Sequence, residues 1–194
     1  MEVRMYSQPQ QYLDVVKLSL QRLTQRAGTA LKMSGEIDGA QIHLPHEVYD
    51  LRADKISKGK DLTSAERTGV RYIVDGLAER PIAAEIPVDV PQSEISFANL
   101  NFGRFVQATK DGIQDLQGRE GTGSYEVRLL RFAAIGLMAL WLVDDAGQTS
   151  SMYPLDPAPP PLESRRLYSE SDFLAAIRPL AEKRARPHKD GMVP

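Results

Sequence analysis

The chain has 194 residues, of which 42% are hydrophobic and 26% charged, and its formal net charge is -2. These values are ordinary for a globular protein and give no basic footprint for nucleic acid. The lack of cysteine excludes disulfides, thiolate nucleophiles and cysteine-ligated metal sites. The longest apolar run, residues 132–143, is shorter than the roughly 20 residues of a membrane span, and no signal-peptide pattern stands at the start. We therefore expect a cytoplasmic protein with no membrane span and no nucleic-acid partner.

The first predicted element is a helix that begins near Ser7 and ends at Gly28. Ser7 and Gln10 have the spacing of a capping box, and Pro9 falls in the first turn, where its missing amide costs nothing. Apolar residues then recur at helical spacing: Tyr12, Val16, Leu20, Leu23 and Ala27. Partial alternation over residues 13–20 leaves a strand as the alternative.

A β-hairpin and a short helix are predicted next. Asp38-Gly39 favours a tight turn, which would join strands at residues 31–37 and 41–44. Pro45 would end the second strand, and residues 46–51 would form the short helix.

The following segment has the pattern of a capped helix. Thr63 and Glu66 form a second capping box, and an apolar stripe follows at Val70, Ile73, Val74 and Leu77. Residues 82–90 alternate as in a strand, which Pro87 would confine to the edge of a sheet because it has no amide to donate.

Another helix is predicted over residues 99–117, with Phe102 and Phe105 on its buried face and Gly103 and Gly112 as weak points. Residues 125–153 are strongly apolar. Alternation at their start and a turn at residues 145–147 favour strands, while a helix over 126–142 is the competing interpretation.

The last forty residues divide into three parts. Residues 154–166 are proline-rich, which favours an extended segment, either as a stiff spacer or as a ligand for an aromatic groove. Residues 167–184 form a final helix opened by Ser169 and Asp172 and interrupted by Pro179, and residues 185–194 form a basic flexible tail. Residues 1–153 would be the globular body.

These elements together predict an α+β fold. Three or four helices would pack on a small, mainly antiparallel sheet built around residues 125–153, with the proline-rich segment before the C-terminal helix. Helices and hairpins follow one another irregularly, which does not match a doubly wound or barrel pattern.

His43 and His46 are the best candidates for metal ligands. Four carboxylates stand near them in the sequence: Glu36, Asp38, Glu47 and Asp50. Pro45 lies between the histidines, however, and the helical His-Glu-x-x-His pattern is absent. We predict no cofactor. The phosphate-binding loop and serine-elbow signatures are also absent.

The proline-rich segment and final helix are the candidate partner-binding surface. Its residues would be Pro157, Pro159, Pro160, Pro161, Phe173 and Ile177. The scarcity of catalytic motifs favours a protein-interaction, accessory or assembly subunit without its own catalysis, for which a homo-oligomer is one arrangement. The alternative is a small metal-dependent or hydrolytic enzyme that uses His43 and His46 with a nearby carboxylate.

Overall fold

The computed structural model describes residues 1–7, 9–27, 39–88, 97–147 and 149–185. Its strands are β1 (Glu2–Arg4), β2 (Gln41–Asp50), β3 (Glu66–Asp75), β4 (Ile82–Pro87), β5 (Asn99–Asn101), β6 (Ser124–Phe132), β7 (Leu137–Asp144), β8 (Ser150–Pro154) and β9 (Tyr168–Ser169). Its α-helices are α1 (Gln10–Ala27), α2 (Ala53–Ile56), α3 (Arg104–Gln117) and α4 (Glu170–Ala185).

The nine strands of the described residues belong to one mixed sheet. Its order is β5-β4-β3-β2-β6-β7-β8-β9, and β1 pairs with the start of β6. Two antiparallel meanders, β2–β3–β4 and β6–β7–β8, meet where β2 and β6 run parallel. The predicted fold is therefore wrong, because the sheet is large and mixed where the sequence indicated a small, mainly antiparallel one.

Helices cover both faces of the sheet. Leu129 packs with Ile113 and Leu116 of α3, whereas its neighbour Leu130 packs with Phe173 and Ile177 of α4. Because successive strand residues point to opposite faces, α3 and α4 lie on opposite sides. Helix α1 shares the face of α4 but packs on the other meander, where it contacts β3 and β4.

The segment 66–75 is strand β3, so the predicted helix is wrong here. Asp61 rather than Thr63 supplies the cap, for a 3-10 turn at Leu62–Ser64, and the chain is already extended at Glu66. In the middle of the sheet β3 is covered on both faces, and residues 69–74 are all buried. A strand buried on both faces shows no alternation, so its apolar residues also fit a helical stripe.

Two neighbouring predictions are also wrong. Residues 46–51 do not form a helix, because β2 continues to Asp50, with a register irregularity between His43 and His46. Strand β4 exists as expected but is not an edge, since β5 pairs with its far side. Pro87 is tolerated because it is the last residue of β4. The predicted strand 31–37 and Asp38 lie outside the described residues.

The strand interpretation of residues 125–153 is confirmed, because β6, β7 and β8 occupy this segment. In the turn between β7 and β8, Gly147 takes a positive φ of 66°. Helices α1 and α4 are also confirmed. The predicted helix at 99–117 is confirmed only from Arg104 onwards, since Asn99–Asn101 is strand β5. Gly112 allows α3 to approach the sheet closely.

Candidate functional site

His43 is engaged with an aspartate that the sequence analysis did not single out. Its Nε2 lies 2.7 Å from Oδ2 of Asp75, and Nζ of Lys110 donates to the same oxygen at 2.7 Å. Burial raises the pKa of Asp75, but the hydrogen bonds from Lys110 and His43 outweigh it and leave that pKa below its ordinary value. Asp75 is therefore a carboxylate shared by two basic groups.

His46 lies deeper and has different partners. It is fully buried, its Nδ1 lies 2.7 Å from the carbonyl oxygen of Leu44, and its Nε2 has no partner among the described residues. Burial, together with the nearby charge of Arg71, lowers the pKa of His46 to about 3. The ring is therefore neutral at physiological pH.

The structure does not bring the candidate metal ligands together. Glu47 pairs with Arg67 and Asp50 pairs with Arg131, while Glu36 and Asp38 lie outside the described residues. In the part of the chain that the structure describes, no three potential metal-ligating side chains are grouped to hold an ion. Metal binding by His43 and His46 stays a prediction.

The candidate partner-binding residues are divided between core and surface. Phe173 and Ile177 are fully buried under α4, so a partner would reach them only if α4 left the sheet. Among the four prolines, Pro160 and Pro161 are exposed, and Pro157 and Pro159 are partly buried. The segment folds back on itself, because the amide of Arg165 donates to the carbonyl oxygen of Pro154 at 2.8 Å.

The sheet order ends at β9, a strand of two residues, and at the longer strand β5, which the sequence analysis placed inside a helix. It pairs with β4 on one side only and ends the strand order, so among the described residues no strand covers its outer side. Large apolar side chains stand at both of its ends: Phe97 is 57% exposed and Phe102 is 49% exposed. We refer to Phe97–Phe102 together as the β5 edge.

A groove of about 450 Å³ runs between the β5 edge and α1. Leu23 of α1 faces Ala98 and Leu100 across it. Ser19 holds the two sides together, since its Oγ accepts a hydrogen bond from the amide of Ala98 at 2.7 Å and donates to the carbonyl oxygen of Val15 at 2.8 Å. The hydrogen bond from Ala98 to Ser19 thus holds α1 against the chain just before β5.

One signal in the sequence, Gly103, indicates that the β5 edge lies outside α3. Gly103 takes a φ of 124°, which favours glycine, and α3 begins directly after it. Interpreting Gly103 as the helix boundary would have placed Phe102 before α3 rather than on its buried face. The pairing of β5 with β4 has no local signal, because it depends on a partner strand more than ten residues away.

The geometry defines a mixed sheet protein with helices on both faces and an open apolar edge. No protein-family model, no curated protein and no solved structure matches the chain. Among the described residues, no helix is both long enough and apolar enough to cross a membrane.

Proposed function

We propose that this protein is a non-catalytic interaction subunit that binds an extended segment of a partner protein at the β5 edge. The observation that carries the proposal is the pair of exposed phenylalanines, Phe97 and Phe102, at the two ends of an open edge strand. An extended peptide adds to such an edge through backbone hydrogen bonds, and its side chains enter neighbouring pockets.

The chemistry of the edge favours an extended apolar peptide. The outer backbone groups of β5 offer hydrogen bonds that depend little on the partner's sequence. The groove beside β5 is lined by the apolar residues Leu23, Phe97, Ala98 and Leu100, which suit aliphatic or aromatic side chains, and also by the polar residues Ser19, Arg22 and Asn99. A strand rises about 3.3 Å per residue, so a segment of about six residues reaches both phenylalanines.

Exposed apolar residues elsewhere do not have this arrangement. Leu18 and Leu167 are the other exposed large apolar side chains among the described residues. Leu18 lies on α1, and Leu167 stands alone beside β9, an end strand of only two residues, so neither place has a pair of exposed aromatic rings. The enzyme hypothesis has weaker support, since His43 and His46 have separate partners.

A peptide-library selection on the full chain tests the proposal. Random ten-residue peptides are selected against the wild-type protein, and synthetic copies are titrated by fluorescence polarisation. We expect the selected peptides to be apolar and strand-forming. Their affinity should fall about tenfold or more for F97S and for F102S, because each substitution removes an aromatic contact that is buried in the complex and contributes about 1.4 kcal/mol or more. L18S, a substitution at an exposed position of α1 that does not line the groove, should bind like the wild type.

Backbone chemistry separates strand addition from other modes. Methylating alternate peptide nitrogens on the side that faces β5 should abolish binding, whereas methylating the intervening nitrogens should not. Equal effects of the two patterns, failure to enrich any peptide, or unchanged binding by the F97S/F102S double variant would each contradict the proposal. A wild-type dimer that F97S converts to monomer would assign the edge to self-association instead.

A further inference from the structure

Three arginines from distant parts of the chain line a single cleft of about 490 Å³. Arg80 lies in the turn between β3 and β4, Arg104 is the first residue of α3, and Arg165 lies near the end of the proline-rich segment. We call this feature the arginine cleft. It shares no residue with the β5 edge.

Two of the three arginines are held by contacts with their surroundings. The backbone of Arg165 is fixed on both sides, since its amide donates to the carbonyl oxygen of Pro154 at 2.8 Å and its own carbonyl accepts from Nη2 of Arg119 at 3.0 Å. The guanidinium carbon of Arg104 lies 5.1 Å from the ring centroid of Phe105, a cation–π contact.

The positive charges of the cleft are only partly balanced, by Asp111 and Asp156 in the lining and by Asp115, whose pKa is lowered in part by the charge of Arg165. Among the described residues, no carboxylate forms an ion pair with Arg80, Arg104 or Arg165, whereas most other described arginines of the sheet and helices have one. The two aspartates in the lining have neutral hydrogen-bond donors and keep their charge: Asp111 accepts from Nε2 of Gln107 at 2.6 Å, and Asp156 accepts from Oγ of Ser164 at 3.3 Å. With three arginines against two aspartates, the lining keeps a formal excess of one positive charge, which an anion would balance.

A phosphate group fits this arrangement better than a single carboxylate. Guanidinium groups present planar forks of donors that match phosphate oxygens, and a phosphate offers enough acceptor oxygens and charge to engage several of them. The cleft volume lies in the range of small-molecule sites, roughly 300–1,000 Å³. A net charge of -2 gives the chain no general attraction for nucleic acid, which favours a small ligand over a polyanion.

We propose that the arginine cleft binds a small phosphorylated molecule through Arg80, Arg104 and Arg165. Asp111 and Asp156 stand at the same cleft and offer acceptors to hydroxyl groups on the rest of the ligand.

Titration of the full chain with inorganic pyrophosphate, followed by calorimetry and by amide chemical shifts, tests this assignment. We expect saturable binding with shifts concentrated around Gly103 and Arg165. R80Q, R104Q and R165Q should each weaken binding about tenfold or more, since each removes a charge-assisted hydrogen bond to the phosphate, and tenfold corresponds to about 1.4 kcal/mol. All three side chains are exposed, so the variants should keep the wild-type circular dichroism.

R166Q is the matched control, because Arg166 is the next residue, is also exposed and pairs with Glu163 at 2.8 Å. It removes the same charge and should bind pyrophosphate like the wild type. Equal weakening by R166Q, or the absence of saturable binding, would overturn the proposal. Tighter binding of a single-stranded oligonucleotide than of pyrophosphate would overturn it too, in favour of a nucleic-acid surface. Unchanged pyrophosphate binding in F102S would show that the cleft and the β5 edge act separately.

Discussion

Arg71 donates two hydrogen bonds to one carboxylate oxygen of Glu85, from Nε at 3.0 Å and from Nη2 at 2.6 Å. The two side chains face each other across β3 and β4 and are almost fully buried. Arg131 extends the network, since its Nη1 donates to Oε1 of Glu85 at 3.0 Å and its Nε donates to Asp50 at 2.6 Å. A chain of alternating charges therefore crosses four strands of the sheet.

Breaking this pair should be costly. Removing one partner of a buried ion pair leaves the other charge uncompensated, so we expect E85Q to lower the free energy of unfolding by about 3–5 kcal/mol. The double variant R71M/E85L, which removes both charges, should lose less than the sum of the single variants. Urea denaturation of wild type, R71M, E85L and R71M/E85L measures the coupling, and E85Q is measured beside them. A loss below about 1 kcal/mol in E85Q would show that water reaches Arg71.

His46 should make the protein sensitive to mild acid. Its pKa is lowered to about 3 in the folded state from an ordinary value of 6.5, so the unfolded chain binds a proton between these values and the folded chain does not. Stability should therefore fall as the pH drops below 6.5, by about 1.4 kcal/mol per pH unit from this residue. H46N cannot titrate, so its unfolding free energy should decline less steeply between pH 7 and pH 4.5. Parallel profiles for H46N and wild type would contradict the prediction.

Asp75 should also lower the free energy of unfolding as the pH falls, but in a lower pH range than His46. Its pKa is lowered in the folded state, so the stability that it contributes is present above the ordinary aspartate pKa of about 3.9 and is lost as the pH falls through the folded-state value. The difference in unfolding free energy between wild type and D75N should therefore be largest at neutral pH and shrink below about pH 4. In a K110Q background the difference should be smaller, because Lys110 is one of the two partners of Asp75. A difference that does not change with pH would exclude this mechanism.

Gly112 should resist replacement even though it lies within a helix. A Cβ built at Gly112 would lie 2.8 Å from Cδ2 of Leu155 and 3.1 Å from Cδ1 of Leu140, and both leucines are buried. Overpacking of a filled core costs about 1–3 kcal/mol, which exceeds the gain of up to about 1 kcal/mol in helix propensity. We expect G112A to lower the melting temperature.

G118A is the control for that substitution. Gly118 has a right-handed helical conformation, and the nearest atoms to a new Cβ are backbone oxygens at 3.6 Å. We therefore expect no loss of stability in G118A. Equal melting temperatures for G112A and wild type would show that α3 shifts away from the sheet at little cost.

Several elements could be predicted from the sequence because their signals are local. Helix α4 opens where Ser169 was expected to cap it, with the amide of Asp172 donating to Oγ of Ser169 at 3.1 Å. Strands β6, β7 and β8 were predicted from apolar alternation and from the turn at Gly147. Cysteine chemistry was excluded by composition alone, since no arrangement in space supplies a missing thiol.

The sheet's size and order, and the residues that meet at its sites, were decided only by tertiary structure. Strand β3 carries apolar residues on both faces, and this pattern also fits the apolar stripe of a helix. Only the pairing with β2 on one side and β4 on the other identifies it as a strand. The pairing of His43 with Asp75 and the convergence of Arg80, Arg104 and Arg165 join residues that are far apart in the chain. Periodicity reports only local conformation, whereas strand order and side-chain convergence depend on long-range packing, for which one sequence contains no separate signal.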